Sequence, residues 1–231
     1  MDRSRSELLL GKEAIEILAN AKGIIFGIGG VGGSAFEALI RHGIQNLTII
    51  DFDVVDSSNL NRQVLYTSND LGKLKVICAR ERALTVNPAA KITIISDKIT
   101  PATTLDFSDY DFVVDAIDDV KAKIHIIKEC LNSNSIFVSS LGMGNRLDPS
   151  QISLTTLNKT ENDPLARVIR VELRKQNLEL RNVTVVFSKE SPIRREKPIG
   201  STYIVPNTAG IHIASLIVKK LIEKEEENGK N

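Results

Sequence analysis

A chain of 231 residues with 30 Lys and Arg against 29 Asp and Glu carries a formal net charge of +1, which excludes a polyelectrolyte tail or a histone-like coat for nucleic acid. Hydrophobic residues make up 42% and charged residues 26%, the balance of an ordinary globular domain, and a chain of this length buries roughly 70% of its unfolded surface. Aromatics are only 4%, with no Trp, too few to build stacking platforms for single-stranded nucleic acid in quantity.

The N-terminus offers three consecutive leucines, Leu8 to Leu10, before charge returns, far short of a signal-peptide core. A β-rich run, Gly23 to Phe26, leads through glycines into a helical pattern on Val31, Ala35, Ala38, Leu39 and His42. Gly43 stops that helix, and Leu47 to Ile50 reads as a second strand. Lys75 to Val86 is helical and Asn87-Pro88 breaks it. Strands are expected at Ile92 to Ile95, Phe112 to Ala116 and Ile136 to Ser139, with a helix over Lys121 to Leu131. This alternation predicts an α/β, Rossmann-like fold: a mainly parallel sheet with helices on both faces.

After Gly142 the character changes. A turn-rich joint, Gly142-Met143-Gly144-Asn145, precedes an alternating segment from Ile152 to Leu157, a basic helix from Pro164 to Lys175 and a strand from Thr184 to Phe187. Pro198-Ile199-Gly200 reads as a flexible loop, and Thr208 as the cap of a final helix striped with Ile211, Ala214, Val218, Leu221 and Ile222. Its tail, from Glu223 onward, is expected to be solvated and frayed. These pieces form a C-terminal mixed-strand and helix extension. No uncharged stretch is long and apolar enough for a bilayer, so no membrane association is expected. Cys78 and Cys130 stand far apart with no CxxC anywhere; a reducing cytoplasm fits, and no structural zinc is expected.

The sequence Gly27-Ile28-Gly29-Gly30-Val31-Gly32 lies where a strand turns into a helix, so Gly27, Gly29, Gly30 and Gly32 let backbone approach a phosphate at a helix N-terminus. Asp51 ends the second strand, where a carboxylate can accept hydrogen bonds from ribose hydroxyls. Up to this point a NAD-dependent dehydrogenase is served equally well, and glycines that merely allow tight packing are a third account.

The run from Asp51 through Asp56, Asn59, Asn61, Arg62 and Gln63 to Lys75 resembles the signature of the ubiquitin-activating, ThiF-like superfamily of ATP-dependent adenylating enzymes. The resemblance implies that Arg62 and Lys75 hold the ATP phosphates, with Asn59 close by. The block Asp115-Ala116-Ile117-Asp118-Asp119 is similar to the family's D-x-x-D motif, which places Asp118 toward Mg2+ and the triphosphate and makes it the metal residue; Asp115 would fix the loop and Asp119 cap the following helix. Near the start, Arg5, with Arg3 as the alternative, matches a basic residue that in relatives precedes the first helix and reaches across a homodimer to the neighbouring ATP. The catalytic set implied is Arg62, Lys75, Asp118 and Arg5. Residues 1–231 then form one ThiF-like domain, with a nucleotide-binding core over 1–142 and a substrate-facing extension over 143–231.

Within the superfamily the finer resemblance is to the tRNA threonylcarbamoyladenosine dehydratases. It is most specific in the glycine turn, Asn61-Arg62-Gln63, Asp115 to Asp118, Asp148 to Ile152, Lys159 to Ala166 and Val186-Phe187-Ser188. It implies ATP-dependent activation of a threonyl carboxylate on a modified adenosine in tRNA, followed by closure with loss of water. The alternative is adenylation of the C-terminus of a ubiquitin-like sulfur-carrier protein, with a sulfur-relay protein as partner. Members of that kind commonly carry two CxxC pairs, and this chain has no cysteine after Cys130. From Leu165 to Gly200 nine Lys or Arg face four Glu, a local +5 that leaves −4 for the rest of the chain, as binding of a phosphate backbone by one lobe requires. A solvated helix face gives the same pattern.

Overall fold

The structure, a computed structural model, describes residues 1–194 and 197–228; Arg195 and Glu196 of the basic segment and 229–231 of the tail lie outside the described residues. Short β-branched runs become strands β1 (Lys22–Phe26), β2 (Asn46–Ile50), β3 (Lys91–Ile95), β4 (Phe112–Asp115), β5 (Ile136–Ser140), β6 (Ile152–Thr156) and β7 (Thr184–Ser188). They form a seven-stranded sheet in the order β3-β2-β1-β4-β5-β7-β6. All neighbouring pairs are parallel except β6 and β7, which run antiparallel.

Strand parity divides the helices between two faces. Ile25, Ile49 and Val114 point into a core shared with α3 (Gly30–Arg41), α4 (Lys75–Val86) and α7 (Ile204–Asn228). Ile24, Phe26, Ile50 and Val113 point the other way, against Ala122, Ile126 and Cys130 of α5 (Val120–Leu131). A third cluster packs α6 (Pro164–Lys175) on β7 through Ile169, Leu173, Val185 and Phe187. Because β1 continues to β2 on one side and pairs with β4 on the other, the chain reverses between β1 and β4. In such sheets that crevice, beyond the carboxyl ends of the strands, is where ligands bind. Among the described residues no helix is long and apolar enough to cross a membrane.

Three expectations are corrected. The final helix begins at Ile204 rather than at Thr208 and continues through Asn228. Pro206 falls in its first turn, where the missing N–H has no helical acceptor to lose. Arg5 does not precede the first helix: it lies inside α1 (Ser4–Leu10), which Gly11, at φ +84°, separates from α2 (Lys12–Asn20). Gly200 is not loose, since its N–H and its carbonyl both bond to Asn145.

The position that fixes α7 on α3 is Gly210. A Cβ there would lie 2.4 Å from the carbonyl oxygen of Val31 and 2.8 Å from the amide nitrogen of Ala35. One turn earlier, Ser34 Oγ donates to the carbonyl of Asn207 at 2.9 Å. Overpacking a site bounded by backbone typically costs about 1–3 kcal/mol, and in a protein of this size each kcal/mol moves the melting midpoint by roughly 2–4 °C. Gly210→Ala is therefore expected to lower the midpoint followed by circular dichroism by several degrees; an unchanged melt would show that the two helices separate freely.

Candidate active site

The glycine turn is built by exclusion. Gly27 sits at φ +83°, a conformation that a side chain strains, and a Cβ there would approach the Ala116 carbonyl oxygen to 2.9 Å. At Gly32 an added carbon would stand 1.8 Å from the carbonyl oxygen of Gly27. The first amides of α3, which begins at Gly30, have no acceptors within the helix and face the sheet edge with the positive end of its dipole, a ready anion site.

Asp51 braces this turn. Its Oδ2 accepts from the Ile28 amide at 2.8 Å and its Oδ1 from the Asp53 amide at 2.9 Å. Burial raises its carboxyl above the ordinary value, with Lys75 opposing. Each oxygen keeps a further lone pair, which leaves room for the expected hydrogen bonds from a ribose. Lys75 is nearly buried, and its Nζ donates to Asp53 Oδ2 at 2.7 Å; Asp53 itself is about half exposed, at 49%. The ammonium thus opens outward only through its partner.

Arg62 emerges from a turn that caps itself. Asp56 accepts from the Ser58 amide at 2.8 Å, and Asn59 Oδ1 accepts from the Asp56 amide at 3.1 Å, so Asn59 is first a cap. Arg62 Nη1 donates to Ser58 O at 2.7 Å and to Asn61 Oδ1 at 2.9 Å, and the Arg62 carbonyl accepts from Asn207 Nδ2 at 2.8 Å. A Cβ on Gly30 would reach that carbonyl at 3.6 Å, so the Arg62 turn lies beside the start of α3. Gln63 is buried next to Gly29, and its Oε1 has no partner among the described residues.

Asp118 is exposed and unbonded among the described residues. Its neighbours hold it. Asp115, fully buried, accepts from the Ile117 amide at 3.3 Å, while Asp119 caps α5 through the Ala122 amide at 2.9 Å. The second oxygen of Asp115 accepts from Ser139 Oγ at 2.6 Å and from Lys123 Nζ at 2.7 Å, and that ammonium also donates to Ser140 O at 2.9 Å. Both members of the ion pair are 0% exposed. Lys123 has no counterpart in the sequence reading. One signal was available: it stands in register with the buried positions Ile126, Ile127 and Cys130 of the same helix.

Arg5 lies apart, exposed on α1 and without a hydrogen bond among the described residues. Arg3 turns back on its own chain, with Nη1 3.4 Å from Ile15 O. Toward the extension, Arg146, also unforeseen, donates from Nη1 to Ser188 O at 2.7 Å and to Glu190 O, and from Nη2 to Asp163 Oδ2 at 3.3 Å. Asp163 caps α6 at the Ala166 amide, 2.9 Å, and accepts from the Gly142 amide at 3.0 Å. Asn145, at φ +57°, bonds to Gly200 twice at 2.7 Å, to Arg194 O at 2.9 Å and to the Ile193 amide at 2.8 Å. The loop it clasps reaches Asn61, whose Nδ2 donates to Ser201 O at 2.9 Å. On α6, Arg167 and Arg174 are exposed, whereas Arg170 bonds to the Thr160 carbonyl at 2.9 Å and to its hydroxyl. Of these three arginines only Arg167 and Arg174 remain exposed. Cys78 and Cys130 are buried free thiols, each pushed up from its ordinary pKa by burial.

The model of the ThiF family matches residues 2–231. The chain belongs to that family. It is 35% identical over 243 residues to the tRNA threonylcarbamoyladenosine dehydratase of Bacillus subtilis, covering 96% of this chain and 95% of that protein. Its fold is similar to that of the E. coli tRNA N6-threonylcarbamoyladenosine dehydratase TcdA in complex with AMP, with a TM-score of 0.89 at 33% identity over 97% of this chain and 95% of the other. A crystal structure of the same enzyme with ATP matches at a TM-score of 0.88 with the same coverage.

Asp51→Asn keeps the size of the brace and removes its charge. Hydrogen bonds to charged groups are worth about 1.5–3 kcal/mol, so ATP affinity measured by titration calorimetry is expected to fall by about ten- to a hundredfold in a folded variant. Native affinity would leave the turn braced by other means.

Proposed function

We propose that this ThiF-family chain is an ATP-dependent adenylating enzyme that activates the threonyl carboxylate of threonylcarbamoyladenosine in tRNA and closes it to a cyclic product with loss of water. The observation that carries this reading is similarity along essentially the whole chain, in sequence and in fold, to dehydratases of that name, one of them crystallised with ATP. In the first step a carboxylate oxygen attacks the α-phosphorus of ATP and pyrophosphate leaves. A nitrogen or oxygen of the same modified side chain then attacks the activated carbonyl, loses its proton and expels AMP. Holding both ends of one side chain in a single site gives that attack a high effective concentration.

The roles of Arg62, Lys75 and Asp118 are part of the proposal. Arg62 reaches the triphosphate from the Ser58 to Asn61 turn, and Lys75 does so by giving up Asp53; each stabilises charge that grows on the leaving pyrophosphate. Asp118 fits magnesium that arrives with the nucleotide: it is exposed and unbonded among the described residues, and Mg2+ is usually held by one or two carboxylates together with substrate phosphates. No group of three or more His, Cys, Asp or Glu positioned for a metal exists among the described residues. When bound, magnesium supplies neutralisation of the phosphate oxygens. Residues 1–142 would hold the nucleotide and 143–231 face the acceptor, and the compartment we propose is the cytoplasm, where ATP and tRNA are both present. We also propose a homodimer. Helix α1 buries none of its own residues and exposes Leu8 and Leu9 at 82% each, beside an apolar groove of about 500 Å³ lined by Leu10, Ala38, Ile211 and Val218. With Arg3 spent on Ile15, Arg5 is the arginine left to reach a partner's site. A sulfur-relay partner finds no exposed thiol here.

The test is AMP release from ATP with tRNA bearing the modified adenosine and, separately, with a ubiquitin-like carrier protein. Turnover is expected with the tRNA alone; turnover only with the carrier would overturn the acceptor. Arg62→Ala should cost on the order of a hundredfold or more. Cys78→Ser with Cys130→Ser should keep substrate-dependent release, since neither thiol is exposed, and complete loss in a folded double variant would point to a thioester step.

Binding of tRNA is expected to weaken steeply between about 50 and 200 mM salt. Replacing Arg167 and Arg174 with Ala should flatten the log-log slope by up to about 1.5, the share of two phosphate contacts. Equal slopes for the native and double-variant proteins would mean that this face is merely solvated.

A further inference from the structure

We infer that Lys123 is a positioning residue that holds the turn bearing Asp118 and the exit of β5 in one fixed arrangement. The inference rests on the reading that Asp118 takes the metal. The side chain lies entirely inside the protein, and its three donors are all used: by Asp115 Oδ2 at 2.7 Å, Ser140 O at 2.9 Å and Ser139 Oγ at 3.3 Å. Fold stability alone does not call for such a group. A buried ion pair is often matched or bettered by apolar side chains of similar volume, because desolvating two charges offsets most of their attraction. What the pair adds is geometry.

The geometry leads to Asp118 from both sides. Upstream, the Asp115 carboxylate that Lys123 holds also takes the Ile117 amide. Downstream, Asp119 caps α5 through the Ala122 amide at 2.9 Å, one residue before Lys123 itself. Residues 116–118 thus run from the Asp115 carboxylate that Lys123 holds to the cap of the helix that carries Lys123, with Asp118 exposed and unbonded among the described residues. The same segment presses on the glycine turn, where Ala116 leaves no room for a side chain at Gly27. Through Ser140 the ammonium also fixes the exit of β5, two residues before the Gly142 amide that bonds Asp163. One buried cation therefore sets the metal side and the acceptor side relative to each other.

The experiment compares Lys123→Met with Asp115→Asn as a charge-balanced double variant, Ser139→Ala, Asp118→Asn and the native protein. For each, melting midpoint, AMP release and ATP affinity by titration calorimetry in magnesium and in EDTA are measured. Asp118→Asn is expected to lose the gain in affinity that magnesium gives. The double variant, melting within a few degrees of native, is expected to lose at least fivefold of that gain while its affinity in EDTA is kept, and its AMP release should fall on the order of tenfold. A folded double variant with the native magnesium gain and native AMP release would overturn the inference and leave Lys123 a structural residue. If the double variant does not fold, Ser139→Ala decides: a two- to threefold loss of the gain supports the inference, and an unchanged gain overturns it. Should Asp118→Asn keep the full gain, the metal assignment fails first and the inference falls with it; loss in Asp118→Asn alone sinks only the inference.

Discussion

Carbon added at Gly32 would lie 1.8 Å from the carbonyl oxygen of Gly27, and much of the molecule depends on that contact staying empty. Because it is empty, the chain leaves β1, reverses within a few residues and enters α3 with the amides of its first turn directed at the carboxyl edge of the sheet. Three supports converge on the reversal. Asp51 takes the Ile28 amide from the side of β2, Ala116 presses on Gly27 from the side of β4, and the Arg62 carbonyl lies against Gly30. Each support continues into a residue proposed to meet the nucleotide: Asp51 itself, Asp118 or Arg62. A bulkier turn would displace all three at once.

Buried charge in this chain serves placement more than stability. Asp51 spends its carboxylate on backbone amides, Asp115 and Lys123 close on each other beneath the site, and Arg146 with Asp163 ties the end of β7 to the start of α6. Such groups lose hydration on folding, and the hydrogen bonds that repay the loss are directional. An apolar core could fill the same volume while leaving several arrangements nearly equal in energy; a carboxylate with two or three donors leaves few. The exposed groups, Asp118 and Arg5, are thereby relieved of structural duty. The Arg62 guanidinium bonds only within its own turn among the described residues.

Much of the fold was legible because the signals were local. Strand runs of β-branched residues, Asn87-Pro88 after α4 and the Asp163-Pro164 start of α6 each fix an element through its own neighbours. The failures share a cause, which is that the deciding partner lies far along the chain. Pro206 looks like an interruption until the helix is seen to begin before it, held by bonds from Asn207 to the Arg62 carbonyl and from Ser34 to Asn207. Arg170 has the spacing of a phosphate contact, and only the position of Thr160 shows that it is spent. Lys123 and Arg146 were not singled out in the sequence; the register of Lys123 with Ile126 and Cys130 was a weak hint, and Arg146 gave none. The candidate site was legible where it follows a family motif and silent where a tertiary contact defines it.

The extension is more than an addition to a nucleotide-binding core. Strand β7 joins the parallel sheet beside β5, and α7 returns from it to lie on α3, the helix that opens the glycine turn. The loop between them is clasped by Asn145 and bonded at Ser201 to Asn61, whose Oδ1 in turn takes the Arg62 guanidinium. Asn207 holds the Arg62 carbonyl from the first turns of α7. Arg62 is thus fixed from both halves of the chain. A reaction in which one substrate side chain must first meet a phosphate and then close on itself needs those two environments at a constant separation. Among the described residues, a continuous sheet, a returning helix and the bonds of Asn145 and Asn61 to the intervening loop join the two halves that the proposed reaction would use.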